Sequence, residues 1–130
     1  MPFIAKSAPA SPDADDIMTI RERGMYGGDA ISAGDTIFLW SSETRGGNGL
    51  WARATVLRRL PESGRIAIVA RVDRVRPEAR LMVEHLEPYR DSRGANPMIG
   101  LSRKLYGHAH NKIAALDDDE AAFLDSYFGA

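Results

Sequence analysis

The sequence predicts an α+β fold, a partly open β-barrel with short peripheral helices and a C-terminal helix packed against it. Three observations carry this. Thr36-Ile37-Phe38-Leu39-Trp40 is an apolar run without polar alternation, which suits a strand buried on both faces. Pro61-Glu62-Ser63-Gly64 separates two β-rich runs, with proline early and glycine late as in a hairpin turn. Asp117, with Glu120 three residues on and an aromatic stripe behind it, has the pattern of a capped helix start. At 130 residues the chain is long enough for one domain with a core and too short for two ordinary ones. Residues 1–130 are therefore expected to form a single domain.

In chain order, Pro2 to Lys6 supplies a short first strand with Phe3 and Ile4 as its apolar residues. Ser7 to Asp16, rich in Ala, Pro, Ser and Asp, is a loop running into a helix start. Ile17, Met18 and Ile20 give a weak helical stripe that Gly24 and Gly27-Gly28 would stop, so a short helix is expected there. Gly34-Asp35 turns into the strand at Thr36 to Trp40, and Leu50 to Leu60 is the next strand. On that strand strict alternation puts Leu50, Ala52, Ala54 and Val56 on one face and Trp51, Arg53, Thr55 and Leu57 on the other. Arg65 to Val75 pairs antiparallel with it and ends at Pro77. Leu81 to Leu86 is too short to assign, Tyr89 to Pro97 is polar loop, and Ile113 to Leu116 is a last strand. Asp118 and Asp119 favour the positive end of the helix that follows, and Leu116, Glu120, Phe123, Leu124, Tyr127 and Phe128 lie near one face of it.

The charge is strongly segregated. Residues 1–44 carry three bases against seven acids, and the last 18 residues carry five acids and no base. Between them, residues 45–112 hold 14 bases, 12 of them arginine, against six acids. Arginine's planar fork pairs with phosphate and stacks on bases, which points to a nucleic-acid partner; outward arginines that keep a sheet soluble give the same count. There is no cysteine, so neither disulfides nor thiolate metal sites are open to the chain. No segment approaches the roughly 20 apolar residues that span a bilayer, and no signal-like leader is visible. A cytoplasmic location without membrane insertion is expected.

The chain has two tryptophans, Trp40 and Trp51, at the two mouths of the polar, glycine-rich connector Ser41 to Gly49. Two flat rings bracketing such a loop can stack a planar ligand such as a nucleobase. The same spacing suits two core tryptophans in a barrel wall, and taken alone it favours them. Trp40, at a strand end beside the connector, is the better pocket candidate, since Trp51 shares a face with Arg53. His108-Ala109-His110-Asn111 is the one segment that invites a metal or nuclease reading, but His85 is the only further histidine. No G-x-S-x-G is present, and Gly46-Gly47-Asn48-Gly49 lacks the lysine and following helix of a phosphate-binding loop. Neither a catalytic residue, a metal site nor a cofactor is expected.

Four stretches resemble the EVE family of the PUA-like superfamily, relatives of the YTH and ASCH domains. Phe3-Ile4-Ala5-Lys6-Ser7-Ala8-Pro9 is similar to the family's opening strand and turn. Gly34 to Ser41 resembles its glycine-acid, apolar strand, aromatic and serine run, and Gly49 to Val56 its next strand; Ile113 to Phe128 resembles its last strand and helix. Ala8 stands in place of the usual glutamate, the usual first-strand tryptophan is missing, and Arg21-Glu22-Arg23-Gly24-Met25-Tyr26 replaces an arginine-asparagine run. Part of the pocket is therefore expected to be rebuilt.

The resemblance implies a PUA-like fold and a reader of DNA or RNA that flips a modified base into an aromatic pocket. It carries over Ser7, Trp40, Ser41 and Trp51 as base-binding residues. Taking a base from its stack costs a few kcal/mol, and stacking on aromatic rings returns about 1 to 3 kcal/mol per base. Phosphate contacts must supply the remainder, and Arg45, Arg53, Arg58 and Arg103 are the candidates for them. The rivals are a small hydrolase or nuclease using His108 and His110, and a structural domain in which both tryptophans are core.

Overall fold

The computed structural model describes residues 1–7, 12–41, 49–75, 81, 83–89, 92–94, 96–107 and 110–128, without the side chains of residues 83 and 84. Six strands form the molecule's centre: β1 (Pro2–Ser7), β2 (Ile17–Met25), β3 (Thr36–Ser41), β4 (Gly49–Leu60), β5 (Ile66–Val75) and β6 (Lys112–Ala115). They pair in the order β1-β3-β4-β5-β2-β6, and β6 returns to β1, so the barrel is a closed ring where a partly open one was expected. The β1–β3 and β2–β6 pairs are parallel and the others antiparallel. Three helices, α1 (Val83–Leu86), α2 (Pro97–Tyr106) and α3 (Asp118–Asp125), join the strands in an α+β arrangement. None of the described helices is long and apolar enough to cross a membrane.

Two apolar layers share the barrel wall. Inward side chains, including Phe3, Ala5, Ile37, Leu39, Ala54, Val56, Ile66, Ile68 and Ile113, fill the interior. Outward side chains of the same strands, Ile4, Phe38, Trp40 and Ala114, meet Leu81, Leu86, Leu101, Leu105, Leu124 and Phe128 in a second layer. A strand apolar on both faces is what a wall between two cores requires, and the unalternating run at 36–40 has this cause.

Hairpin β4–β5 forms as expected, with Gly64 at φ +80°, where a side chain would be strained. The predicted capping box also forms. Asp117 Oδ1 accepts from the Glu120 N–H at 2.7 Å, and Glu120 Oε1 accepts from the Asp117 N–H at 2.9 Å. Glu120 is buried and takes a further hydrogen bond from Lys104 Nζ at 2.6 Å, which joins α3 to α2. Gly100 makes room for that carboxylate, because a Cβ there would collide with Glu120 Oε2. The aromatic stripe of α3 packs on the outer layer, with Phe38 and Phe128 ring centres 6.4 Å apart.

Three elements differ from the sequence-based expectation. The short helix around Ile17–Ile20 is strand β2, paired with β5 over residues 17–22. Met18, Ile20 and Glu22 alternate inward while Ile17 is exposed, a period of two that three apolar residues do not distinguish from a helical stripe. Pro97 begins α2 rather than ending a loop; Asn96 caps it by accepting from the Met98 N–H at 2.9 Å, and proline at the first turn gives up no needed donor. The alternation along β4 breaks at a bulge. Trp40 pairs with Leu50 and Leu39 with Ala52, so Trp51 is the extra residue between them. Leu50 thereby joins the outer layer, while Trp51 packs on the interior with Ala52 and does not share a face with Arg53.

Candidate functional site

Strand β6 has four residues and pairs with β2 only over Arg23–Met25, so Ile17–Glu22 has a ladder partner in β5 alone. The barrel end next to this gap is where a cleft lies. Its walls are Ala5 and Ser7 from β1, Met18 and Ile20 from β2, Leu39, Trp40 and Ser41 from β3, and Trp51 from β4, with Pro12 at its edge. Ser7, Trp40, Ser41 and Trp51, four residues drawn from three strands, thus border one cleft. It is narrow, about 30 Å³ of space for water centres, roughly room for two waters.

The two tryptophans differ in what holds them. Trp40 is buried on the outer face, where its indole N–H donates to the Tyr106 hydroxyl at 2.7 Å and the two rings meet edge to face at 6.1 Å. Lys6 Nζ lies 4.4 Å from the centre of the Tyr106 ring and donates to the Leu105 carbonyl at 2.8 Å, at the C-terminal end of α2. Trp51 is half-buried against the inner layer and keeps part of its surface open.

Among the described residues the cleft wall is apolar except for its hydroxyls. Ser41 is buried, and the buried Ser7 hydroxyl lies against the Glu22 carboxylate. Burial pushes the Glu22 carboxyl above the usual range, and the Ser7 hydroxyl and Arg65 guanidinium pull it only partly back. Glu22 also belongs to a second, open and polar groove, lined by Glu22, Arg23, Gly64, Arg65, His110 and Asn111.

The arginines assigned to a nucleic-acid backbone are not gathered at either place. Arg53 Nε sits 3.0 Å from Asp125 Oδ1 and ties β4 to α3. Arg58 is exposed on β4, seven residues beyond Trp51, or roughly 23 Å along an extended strand. Arg103 is exposed on α2, and none of these three lines the cleft or the groove. Arg45, the connector over 42–48, Pro77 and His108 lie outside the described residues. His110 is exposed just ahead of β6 and not on a strand, and among the described residues no three His, Asp or Glu side chains gather as metal ligands.

Arg23 and Arg65 were not candidates from sequence, and Asn111 entered only within the His108–Asn111 segment. They come from β2, the β4–β5 turn and the approach to β6, and the signal present was the Arg21-Glu22-Arg23 run, which alternates one inward carboxylate between two outward guanidiniums. No protein-family model, curated protein or solved structure matches the chain.

Proposed function

We propose that this chain is a non-enzymatic reader module of the PUA-like, EVE-type fold that binds a nucleic-acid strand by admitting one flipped base, modified or not, into the barrel-end cleft. The observation that carries the reading is the convergence of Ser7, Ser41 and Trp51 on a single apolar cleft, with Trp40 fixed behind it. A six-stranded barrel with a helical layer on one face is compatible with that fold class.

The chemistry follows from the residues. A half-exposed indole offers a π-face to any base, and two hydroxyls can each donate or accept at a base edge. The cleft as it stands holds waters rather than a purine, so the Trp51 ring must swing away from its inner packing for a base to enter. Trp40 supports the site without stacking on the ligand, because its ring is enclosed and its N–H is committed to Tyr106.

The test is a titration with labelled single-stranded DNA and RNA oligonucleotides, with and without methylated bases, at two salt concentrations. Salt-dependent binding that weakens about 5- to 150-fold in Trp51→Ala is the expected result, the range of one lost stacking contact. Binding that ignores salt, or is unchanged in Trp51→Ala, removes the proposal.

A further inference from the structure

The open groove beside the cleft has no role in the account so far, and its chemistry is distinctive. Two guanidiniums, an imidazole and a carboxamide line it, with Gly64 leaving one wall free of side chain. Arg23 is exposed and among the described residues has no ion-pair partner. Arg65 is exposed too, and its Nε is 3.7 Å from Glu62 Oε1, a carboxylate that Arg21 engages more closely at 2.9 Å. Both guanidiniums are therefore available to an anion with little to give up.

Behind the groove lies more positive charge. Arg23 is in register with Lys112, and Lys112 with Lys6, so three cations stand side by side across β2, β6 and β1. Like charges opposite one another are unfavourable in a sheet. Burial and the neighbouring Lys6 bring the Lys112 amine down from 10.5 to about 8. A row of this kind raises the potential at its exposed end, which is Arg23. Among the described residues the one acid lining the groove is Glu22, whose burial keeps its carboxyl easier to protonate than usual.

We infer that this groove is a phosphate-binding subsite, in which Arg23 and Arg65 grip phosphoryl oxygens, with Asn111 and His110 as additional donors. It shares a wall with the cleft, since Glu22 lines the groove and touches Ser7, which lines the cleft. As part of the reader it rests on the proposed function, and it then holds the backbone phosphate next to the flipped base. Planar fork-to-phosphate pairing is what places the strand, while the cleft examines the base.

The experiment uses the double variant Arg23→Gln/Arg65→Gln and the single variant Glu22→Gln in the full chain, with thermal unfolding to verify that each folds. Inorganic phosphate and a nucleoside 5′-monophosphate, each compared with chloride at equal ionic strength and with the nucleoside alone, are titrated while amide and guanidinium NMR signals are followed. Phosphate-bearing probes should shift the signals of Arg23, Arg65, His110 and Asn111, the nucleoside should not, and the double variant should lose the response. With a single-stranded oligonucleotide, the double variant should also lower the slope of log affinity against log salt by about 0.7, the value for one phosphate contact on a single strand. Glu22→Gln should tighten phosphate binding by removing an anion from the wall.

The two proposals fail separately. An unchanged salt slope in the double variant with binding still weakened in Trp51→Ala overturns the groove and keeps the reader. Phosphate shifts without binding of any strand keep the groove as a site for a free nucleotide or phosphate and overturn the reader. Absence of any phosphate response, or weaker phosphate binding in Glu22→Gln, overturns the groove outright.

Discussion

Trp40 and Trp51 stand on neighbouring strands at one end of the barrel, yet one is a fixture and the other is a surface. The difference is the side of the wall each ring occupies. On the outer side, Trp40 is enclosed by the helical layer, its N–H satisfied by Tyr106 and that ring capped by the Lys6 ammonium. On the inner side, the bulge turns Trp51 onto a small apolar cleft with two serines. A single residue inserted between two ladder pairs thus separates the enclosed aromatic from the half-buried one at the cleft.

The contrast breaks most visibly at Trp40. Trp40→Ala should cost about 3 to 5 kcal/mol of stability, as large-to-small changes of buried aromatics do, read as a lower denaturant midpoint. Trp51→Ala should cost clearly less while weakening strand binding. Equal losses in the two variants would erase the distinction.

Gly100→Ala probes the outer layer from its far side. The added methyl displaces the Glu120 carboxylate from Lys104 and from the cap of α3, with an expected loss of about 1 to 3 kcal/mol and no change in the affinity of the protein that remains folded. Tyr106→Phe removes the hydroxyl that accepts the Trp40 N–H, and about 1 to 2 kcal/mol should be lost. A Tyr106→Phe variant as stable as the parent would mean that the hydrogen bond does not fix Trp40.

The smallest effect concerns Lys112. Its amine releases its proton at about pH 8 in the folded chain against 10.5 when free, so between those values the unfolded chain binds more protons and stability rises with pH. Below about pH 8 the burden of the buried charge is fully present. The stability difference between Lys112→Met and the parent should accordingly change in the parent's favour as pH rises through that window. A difference that is flat in pH, followed by denaturant titration, would show that the amine is not perturbed.

What was legible in the sequence was local. The two-sided burial of β3, the β4–β5 hairpin and the Asp117–Glu120 capping box each depend on residues within a few positions of one another. Strand β2 was hidden because its inward positions include Glu22 and Gly24, which interrupt the apolar alternation at the very point where the groove begins. The facing of Trp51 depends on register against β3, which no property of β4 alone reveals. Asn96-Pro97 did announce α2, with a cap and a proline in the right order, but the polar residues before them masked it. For the same reason composition located a basic block without locating its use. Arg53 serves α3, while the open guanidiniums at the groove belong to chain segments about forty residues apart, Arg23 and Arg65.

One measurement separates the two tryptophans as proposed ligand contacts: the intrinsic fluorescence of Trp40→Phe, which leaves Trp51 alone, and of Trp51→Phe, which leaves Trp40 alone, during titration with a single-stranded oligonucleotide. Saturable quenching of Trp51 and an unmoved signal from Trp40 are expected. A response from Trp40 with Trp51 silent would contradict the proposal.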